Sequence, residues 1–223
     1  MSAVFDRIAV LGLGLLGGSV ALAARARGAA AYVAGATRQR DVLERALREG
    51  AVDRVGTAEE VVRDADLVVL ATPVFAMGEI VRKIAPALPD RAIVTDVGSV
   101  KAGLAETLPG LLPRGVDYVG SHPMAGSHER GLDAARADLF EGAACAVMSD
   151  APAEARERVA AFWAALGARV VVRDPAAHDS EVAWTSHVPH LLAFAFAEAF
   201  AAAPPGAREM AGSGFRDFTR IAH

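Results

Sequence analysis

The sequence predicts an α/β protein in which a doubly wound, mostly parallel sheet is followed by an all-helical segment, and three observations predict it. Over residues 1–120, short β-rich apolar runs alternate with longer helix-like stretches, the pattern of successive βαβ units. Two of these runs, Val68-Val69-Leu70 and Ile93-Val94, are continuously apolar rather than alternating, as strands buried on both faces are. After Arg173 the texture changes to a stretch of helix formers that opens at Asp174-Pro175 and ends at Pro204-Pro205.

The elements follow in order. Arg7–Leu11 reads as the first strand, with the helix Gly17–Arg27 behind it. Ala31–Ala36 is the second strand, and the helix Asp41–Arg48 after it takes Asp41 as N-cap and Gly50 as stop. A short helix, Ala58–Arg63, precedes the strand Asp66–Ala71; Ala76–Ala85, stopped by Pro86, precedes Ala92–Asp96; Val116–Gly120 completes the set. Residues 143–172 read as strand, helix (Glu154–Leu166) and strand, a unit expected to extend the sheet. Leu191, Leu192, Phe194, Phe196 and Phe200 make the following long helix apolar nearly all round, so it is expected to be buried in a bundle or at a subunit interface. The domains are expected to be residues 1–173 and 174–223.

With 53% hydrophobic and 22% charged residues in a chain of 223, there is material for a sizeable core, which excludes disordered and collagenous classes. The net charge of −4 is spread without a basic stripe, so no nucleic-acid partner is expected. No window approaches the ~18 apolar residues of a membrane span, and no signal peptide opens the chain, so a cytoplasmic protein without a membrane partner is expected. The single cysteine, Cys145, excludes an internal disulfide and reads as a small buried hydrophobe.

Gly12-Leu13-Gly14-Leu15-Leu16-Gly17 directly follows the strand Ile8–Leu11 and opens the first helix. In that context Gly12 permits the tight turn, Gly14 lets the backbone approach a pyrophosphate at the positive helix N-terminus, and Gly17 allows helix and strand to pack closely. This is the dinucleotide fingerprint of a Rossmann-type domain, and a glycine-rich turn without a ligand fits the context poorly. A site for NAD normally offers an acidic residue about 20 positions on. Here the second strand ends in Gly35-Ala36-Thr37-Arg38-Gln39-Arg40, with no carboxylate before Asp41. Thr37 and Arg38 suit a 2′-phosphate, which favours NADP with NAD as the alternative, although an Arg at this place is also commonly a solvated strand-end residue. Thr72, Pro73 and Val74 end a central strand, either as cofactor contacts on the ribose or nicotinamide side or as an ordinary turn.

Two further segments, Thr95-Asp96-Val97-Gly98-Ser99-Val100-Lys101 and Gly120-Ser121-His122-Pro123-Met124-Ala125-Gly126-Ser127, each follow a strand. Ser99 and His122 are thereby expected at the carboxyl edge of the sheet, where His122 suits a proton acceptor from a hydroxyl that loses hydride; taken alone it is as readily a structural histidine. His187 and His190 share one helical face, beside Pro189, whose missing N–H marks a local break. No Glu, Asp or Cys supports that pair as a metal site, and no metal is expected. Arg216 and Arg220 are carboxylate-binding candidates or plain surface cations.

These motifs, in order GLGLLGGS at 12–19, ATPV at 71–74, TDVGSVK at 95–101, GSHPMAGS at 120–127, DLFEG at 138–142, SHVPH at 186–190 and GFRDFTRIA at 214–222, closely resemble the prephenate and arogenate dehydrogenases of tyrosine biosynthesis. The resemblance implies NAD(P)-dependent oxidative decarboxylation of prephenate to 4-hydroxyphenylpyruvate, or of arogenate to tyrosine. It implies His122 as acceptor of the ring hydroxyl's hydrogen bond, Ser99 as the group orienting that hydroxyl, and His187 beside them. His190, Arg220 (on a substrate carboxylate) and Ser127 are the implied substrate residues. It also implies a homodimer formed through C-terminal helices. Two departures stand out: Ser127-His128-Glu129-Arg130 replaces a loop that often carries Glu, which leaves prephenate against arogenate open, and the helical dimerisation domain is expected to be incomplete at His223.

Two other classes compete. A β-hydroxy-acid dehydrogenase would need a catalytic lysine on the long helix, whereas the only lysines are Lys83 and Lys101. A dinucleotide-sensing module without turnover would need the glycine loop but not histidines and an arginine suited to acid–base work.

Overall fold

In the computed structural model, residues 3–127 and 129–220 are described, so His128 and the Ile221-Ala222-His223 end of the last motif lie outside them. The chain divides into two compact units, residues 1–176 and 177–223.

The first unit is built on six parallel strands, β1 (Phe5–Leu11), β2 (Ala30–Ala36), β3 (Arg54–Val55), β4 (Leu67–Leu70), β5 (Ile93–Asp96) and β6 (Asp117–Val119), in the spatial order β3-β2-β1-β4-β5-β6. Helices α1 (Leu15–Ala26), α2 (Arg40–Arg48), α3 (Ala58–Val61), α4 (Val74–Ile84) and α5 (Ala102–Thr107) connect them. Residues on β1 alternate between two cores. Ile8 and Val10 join Val20, Phe140, Phe162 and Trp163 on one side; Ala9 and Leu11 join Met77, Val81 and Ile84 on the other. All four residues of β4 are buried, which accounts for its uninterrupted apolar run. Because the chain moves outward from β1 in one direction and from β4 in the other, the adjacent carboxyl ends of these two strands (Leu11 opposite Leu70) form the switch point of the sheet.

Two expectations need correction here. Asp41 is not the N-cap of α2: the cap position is Gln39, and Asp41 sits in the first turn, where its charge favours the positive helix end without a capping hydrogen bond. Gly50 does end the helix, at φ +71°. Nor does the added unit extend the large sheet. β7 (Ser121–Pro123), β8 (Ala144–Met148) and β9 (Arg169–Arg173) form a separate three-stranded sheet, with β7 antiparallel and β9 parallel to β8, and α6 (Ala153–Ala165) joins the last two. The chain leaves the large sheet at Gly120, where a Cβ would stand 2.9 Å from Met148 Cγ and 3.2 Å from the Tyr118 hydroxyl, so only glycine turns closely enough. Cys145 on β8 is fully buried, and that burial pushes its thiol well above the usual range, as suits an inert core residue.

In the second unit the long helix is interrupted. α7 (Pro175–Val182) passes through a π-helical turn, Ala183–His187, into α8 (Val188–Phe200), so the break read at Pro189 takes the form of a widened turn just before it. α9 (Ser213–Thr219) covers one side of α8, with Phe215 4.6 Å from Phe200 and Phe218 5.4 Å from Phe196 between ring centroids. The expected burial of α8 is met on that side only: Leu191 is 67% exposed and Leu192 and Phe194 about half exposed, because the described helices of this unit are too few to surround it.

Phe162 meets Phe5 and Trp163 edge-on at 5.9 Å inside the first core. Phe162→Ala is expected to destabilise the protein by about 3–5 kcal/mol, read as a lower urea midpoint at unchanged slope.

Candidate active site

The glycine loop stands at the switch point. Gly12 has φ +102°, and a Cβ there would lie 2.4 Å from the Ala71 carbonyl oxygen; a Cβ on Gly17 would lie 1.8 Å from the Gly12 carbonyl oxygen. Both glycines are therefore fixed by backbone packing. A Cβ on Gly14 would meet nothing within 4 Å. Gly14 is the N-cap of α1, with no side-chain cap and no acidic residue in the first turn, where Leu15, Leu16 and Gly17 begin the helix. Its leading N–H groups and positive end are therefore offered to an anion.

A cavity of about 360 Å³ opens from this loop and is lined by Gly12, Leu13 and Gly14, by Thr37 and Arg38 beyond β2, by Thr72 and Pro73 beyond β4, and by Lys83. Val74, the first residue of α4, stands next to it in the chain. Among the described lining residues the charged groups are Arg38 and Lys83, with no carboxylate. Lys83 pairs with Glu59 at 3.1 Å. Thr72 Oγ1 is buried without a hydrogen-bond partner among the described residues, an orphan that a ligand hydroxyl or phosphate would satisfy. An open glycine, an uncapped helix end, a cationic corner and an orphan hydroxyl together fit a dinucleotide.

Residues beside Ser99 and His122 in the chain are attached to Asp96, the last residue of β5. Its Oδ2 accepts from Gly98 N at 2.7 Å and from Lys101 Nζ; its Oδ1 accepts from the Tyr118 hydroxyl at 2.8 Å and from Ser121 N at 3.2 Å. Asp96 and Lys101 are both 0% exposed. Burial, and then the carboxylate beside it, push the Tyr118 hydroxyl far above the usual phenol range, so it stays a donor. The Ser121 hydroxyl donates to the Asp96 carbonyl, receives Trp163 Nε1–H at 2.9 Å and lies 2.9 Å from Thr95 Oγ1. His122 follows on β7 opposite Ala146 and is 8% exposed, while Ser99 is exposed.

The remaining predicted residues lie on other segments of the chain. Ser127 is exposed, its Oγ accepting from Glu129 N at 3.1 Å. His187, His190 and Arg220 belong to the second unit and are exposed; His190 Nδ1 lies 2.8 Å from the Ser186 carbonyl oxygen, which as a donor's partner leaves Nε2 the accepting nitrogen. Sequence reasoning missed Asp96, Tyr118 and Ser121 altogether and weighed Lys101 only as a catalytic lysine. The available signal was a charged residue at each end of 96–101, just after the apolar run Ala92-Ile93-Val94.

Residues 20–172 match the family model for the nucleotide-binding domain of prephenate dehydrogenase, and residues 174–223 match that for its dimerization domain. The chain belongs to the prephenate dehydrogenase family. It is 38% identical to the cyclohexadienyl dehydrogenase of Zymomonas mobilis, an alignment that covers 98% of this chain and 77% of that one. Among solved structures, the arogenate dehydrogenase of Synechocystis superposes with a TM-score of 0.83 at 34% identity over 96% of this chain and 78% of that one. The prephenate dehydrogenase of A. aeolicus, solved with hydroxyphenyl propionate and NAD+, superposes with a TM-score of 0.87 at 30% identity over 97% and 78%. Family membership thus agrees with the glycine loop: the first unit is a nucleotide-binding domain.

The two glycines of the loop should respond differently to substitution. Gly14→Ala is expected to keep the wild-type Tm while weakening dinucleotide binding by about tenfold or more, because the new methyl occupies the anion's approach; Gly17→Ala is expected to lose at least about 2 kcal/mol of stability through the backbone collision. Thermal melts and cofactor titration of both variants check this.

Proposed function

We propose that this member of the family catalyses oxidative decarboxylation of a cyclohexadienol, prephenate or arogenate, with NADP, in the cytoplasm and as a homodimer, residues 1–173 forming the dinucleotide domain and 174–223 belonging to the helical substrate and dimerisation domain. What supports the reading most is that one buried carboxylate, Asp96, holds the Ser99 loop and the His122 strand together at the sheet edge that carries the glycine loop. The relatives named for prephenate, cyclohexadienyl and arogenate substrates support the substrate class, and leave the choice between the first and last of these to experiment.

A bound nicotinamide would supply the hydride acceptor for the hydroxyl-bearing ring carbon. In this mechanism His122 accepts the proton of that hydroxyl as the hydride leaves, and Ser99 orients the hydroxyl toward it. Loss of the ring carboxylate as carbon dioxide then makes the ring aromatic. Gly12, Leu13, Gly14, Leu15, Leu16 and Gly17 would cradle the pyrophosphate, Thr72, Pro73 and Val74 would border the cofactor, and Thr37 and Arg38 would take the 2′-phosphate. His187 as a further catalytic group, and His190, Arg220 and Ser127 as substrate residues, rest on the resemblance in sequence.

The reaction class, substrate and cofactor are tested together by following reduced-nicotinamide absorbance with prephenate and arogenate crossed with NAD and NADP. Turnover is expected with NADP, and silence in all four mixtures from folded protein would reject the function. His122→Asn is expected to lower kcat by ~10²–10⁴-fold with little change in cofactor affinity; near-normal turnover would remove His122 from its role. Arg38→Ala is expected to weaken NADP binding about tenfold and leave NAD binding unchanged, the loss of one charge-assisted contact.

A further inference from the structure

From the four hydrogen bonds at Asp96 we infer that the buried Asp96–Lys101 pair is a positioning device for the reaction, setting the distance between the Ser99 hydroxyl and the His122 imidazole. The inference rests on the roles proposed above for those two residues.

The geometry has three parts. Ser99 lies between two anchored neighbours, since Gly98 N and Lys101 Nζ both donate to Oδ2. His122 lies next to a third anchor, Ser121 N, which donates to Oδ1 of the same carboxylate. The Tyr118 hydroxyl, from the middle of the neighbouring strand β6, also donates to Oδ1, at 2.8 Å. The two segments, whose Ser99 and His122 are 23 positions apart in sequence, therefore share one rigid body only a few bonds long, and a change on either oxygen shifts one segment against the other. Glycines on both sides make the fit close: a Cβ on Gly98 would stand 2.8 Å from Asp96 Oδ2, and one on Gly120 would stand 3.4 Å from Lys101 Cδ.

A buried ion pair is poor evidence of stabilisation as such, because removing both charges from an interior often costs nothing. That makes the two roles separable. A pair that only stabilises can be replaced by neutral residues of similar volume; a pair that positions cannot, because the replacement keeps the volume and loses the fixed directions of four donors.

The test compares Asp96→Asn, the double variant Asp96→Asn with Lys101→Met, and Tyr118→Phe in the intact chain, measuring Tm, kcat, KM and cofactor Kd. Asp96→Asn is expected to lower Tm, since it leaves the Lys101 ammonium buried without its carboxylate. The double variant is expected to recover most of that Tm while kcat stays about 100-fold down, the scale of an ångström-sized misplacement, with cofactor Kd within about twofold of wild type. Recovery of kcat along with Tm would make the pair purely structural and overturn the inference. Should neither charge variant fold, Tyr118→Phe decides, because it deletes one donor and no charge: kcat about three- to tenfold lower at unchanged KM and Tm supports positioning, and wild-type kcat overturns it. Turnover by His122→Asn would instead strike at the underlying reading, so the two failures are distinguishable.

Discussion

A carboxylate with no access to water has to be surrounded by donors, and in this protein that requirement organises the carboxyl edge of the sheet. Asp96 is the last residue of a strand whose other members, Ile93, Val94 and Thr95, are all buried, so it is carried into the interior with its neighbours. Water cannot satisfy it there, and leaving it unpaired would be costly. The chain meets the demand from three directions: the loop that follows supplies Gly98 N and Lys101, β6 supplies the Tyr118 hydroxyl, and the return of the chain supplies Ser121 N. The departure of β7 from the large sheet follows from this, since pairing with Asp96 at Ser121 draws the backbone away from the line of β6 and toward β8.

The other end of the edge is governed by sterics rather than charge. At the glycine loop two backbones approach so closely that Gly12 and Gly17 admit no side chain, and the reward is a helix whose first N–H groups face open space at Gly14. The two devices stand at the carboxyl ends of β1 and β5, on either side of β4: the loop offers N–H groups to an anion, and the carboxylate ties the 98–101 loop to Ser121.

Much of this was legible in the amino-acid order because it rests on local rules. The runs Val68-Val69-Leu70 and Ile93-Val94 are buried on both faces and read as such; the glycine spacing implied the turn and the close helix, and the lack of an acid after Ala36 matched a cavity lining with Arg38 and no carboxylate. The rest was decided at long range. Ser121-His122-Pro123 has no apolar periodicity to mark a strand, and its pairing with β8 depends on Cys145 and Ala146, more than twenty positions away. Asp96 and Lys101 look like two ordinary charges until both are known to be buried. Asp41 looked like a cap because its type is right, but the cap position falls two residues earlier, at Gln39. The exposed side of α8 was misjudged because an apolar helix states that it needs a cover without stating whether its own chain provides it.

The π-helical turn at Ala183–His187 has a consequence for the phase of the helix. A π-turn holds one more residue than an α-turn, so everything after it is rotated by about 100° relative to an unbroken helix of the same sequence. His190, Leu191 and Phe194 therefore occupy the azimuth that an uninterrupted continuation of α7 would have given to the residues before them. Deleting one residue of the turn would leave a regular helix with the faces of α8 in place, whereas closing the turn to α geometry with all its residues kept would rotate α8 by that angle and shift its packed stripe. In such a helix the identity of a face is set by a count of residues as much as by their kinds.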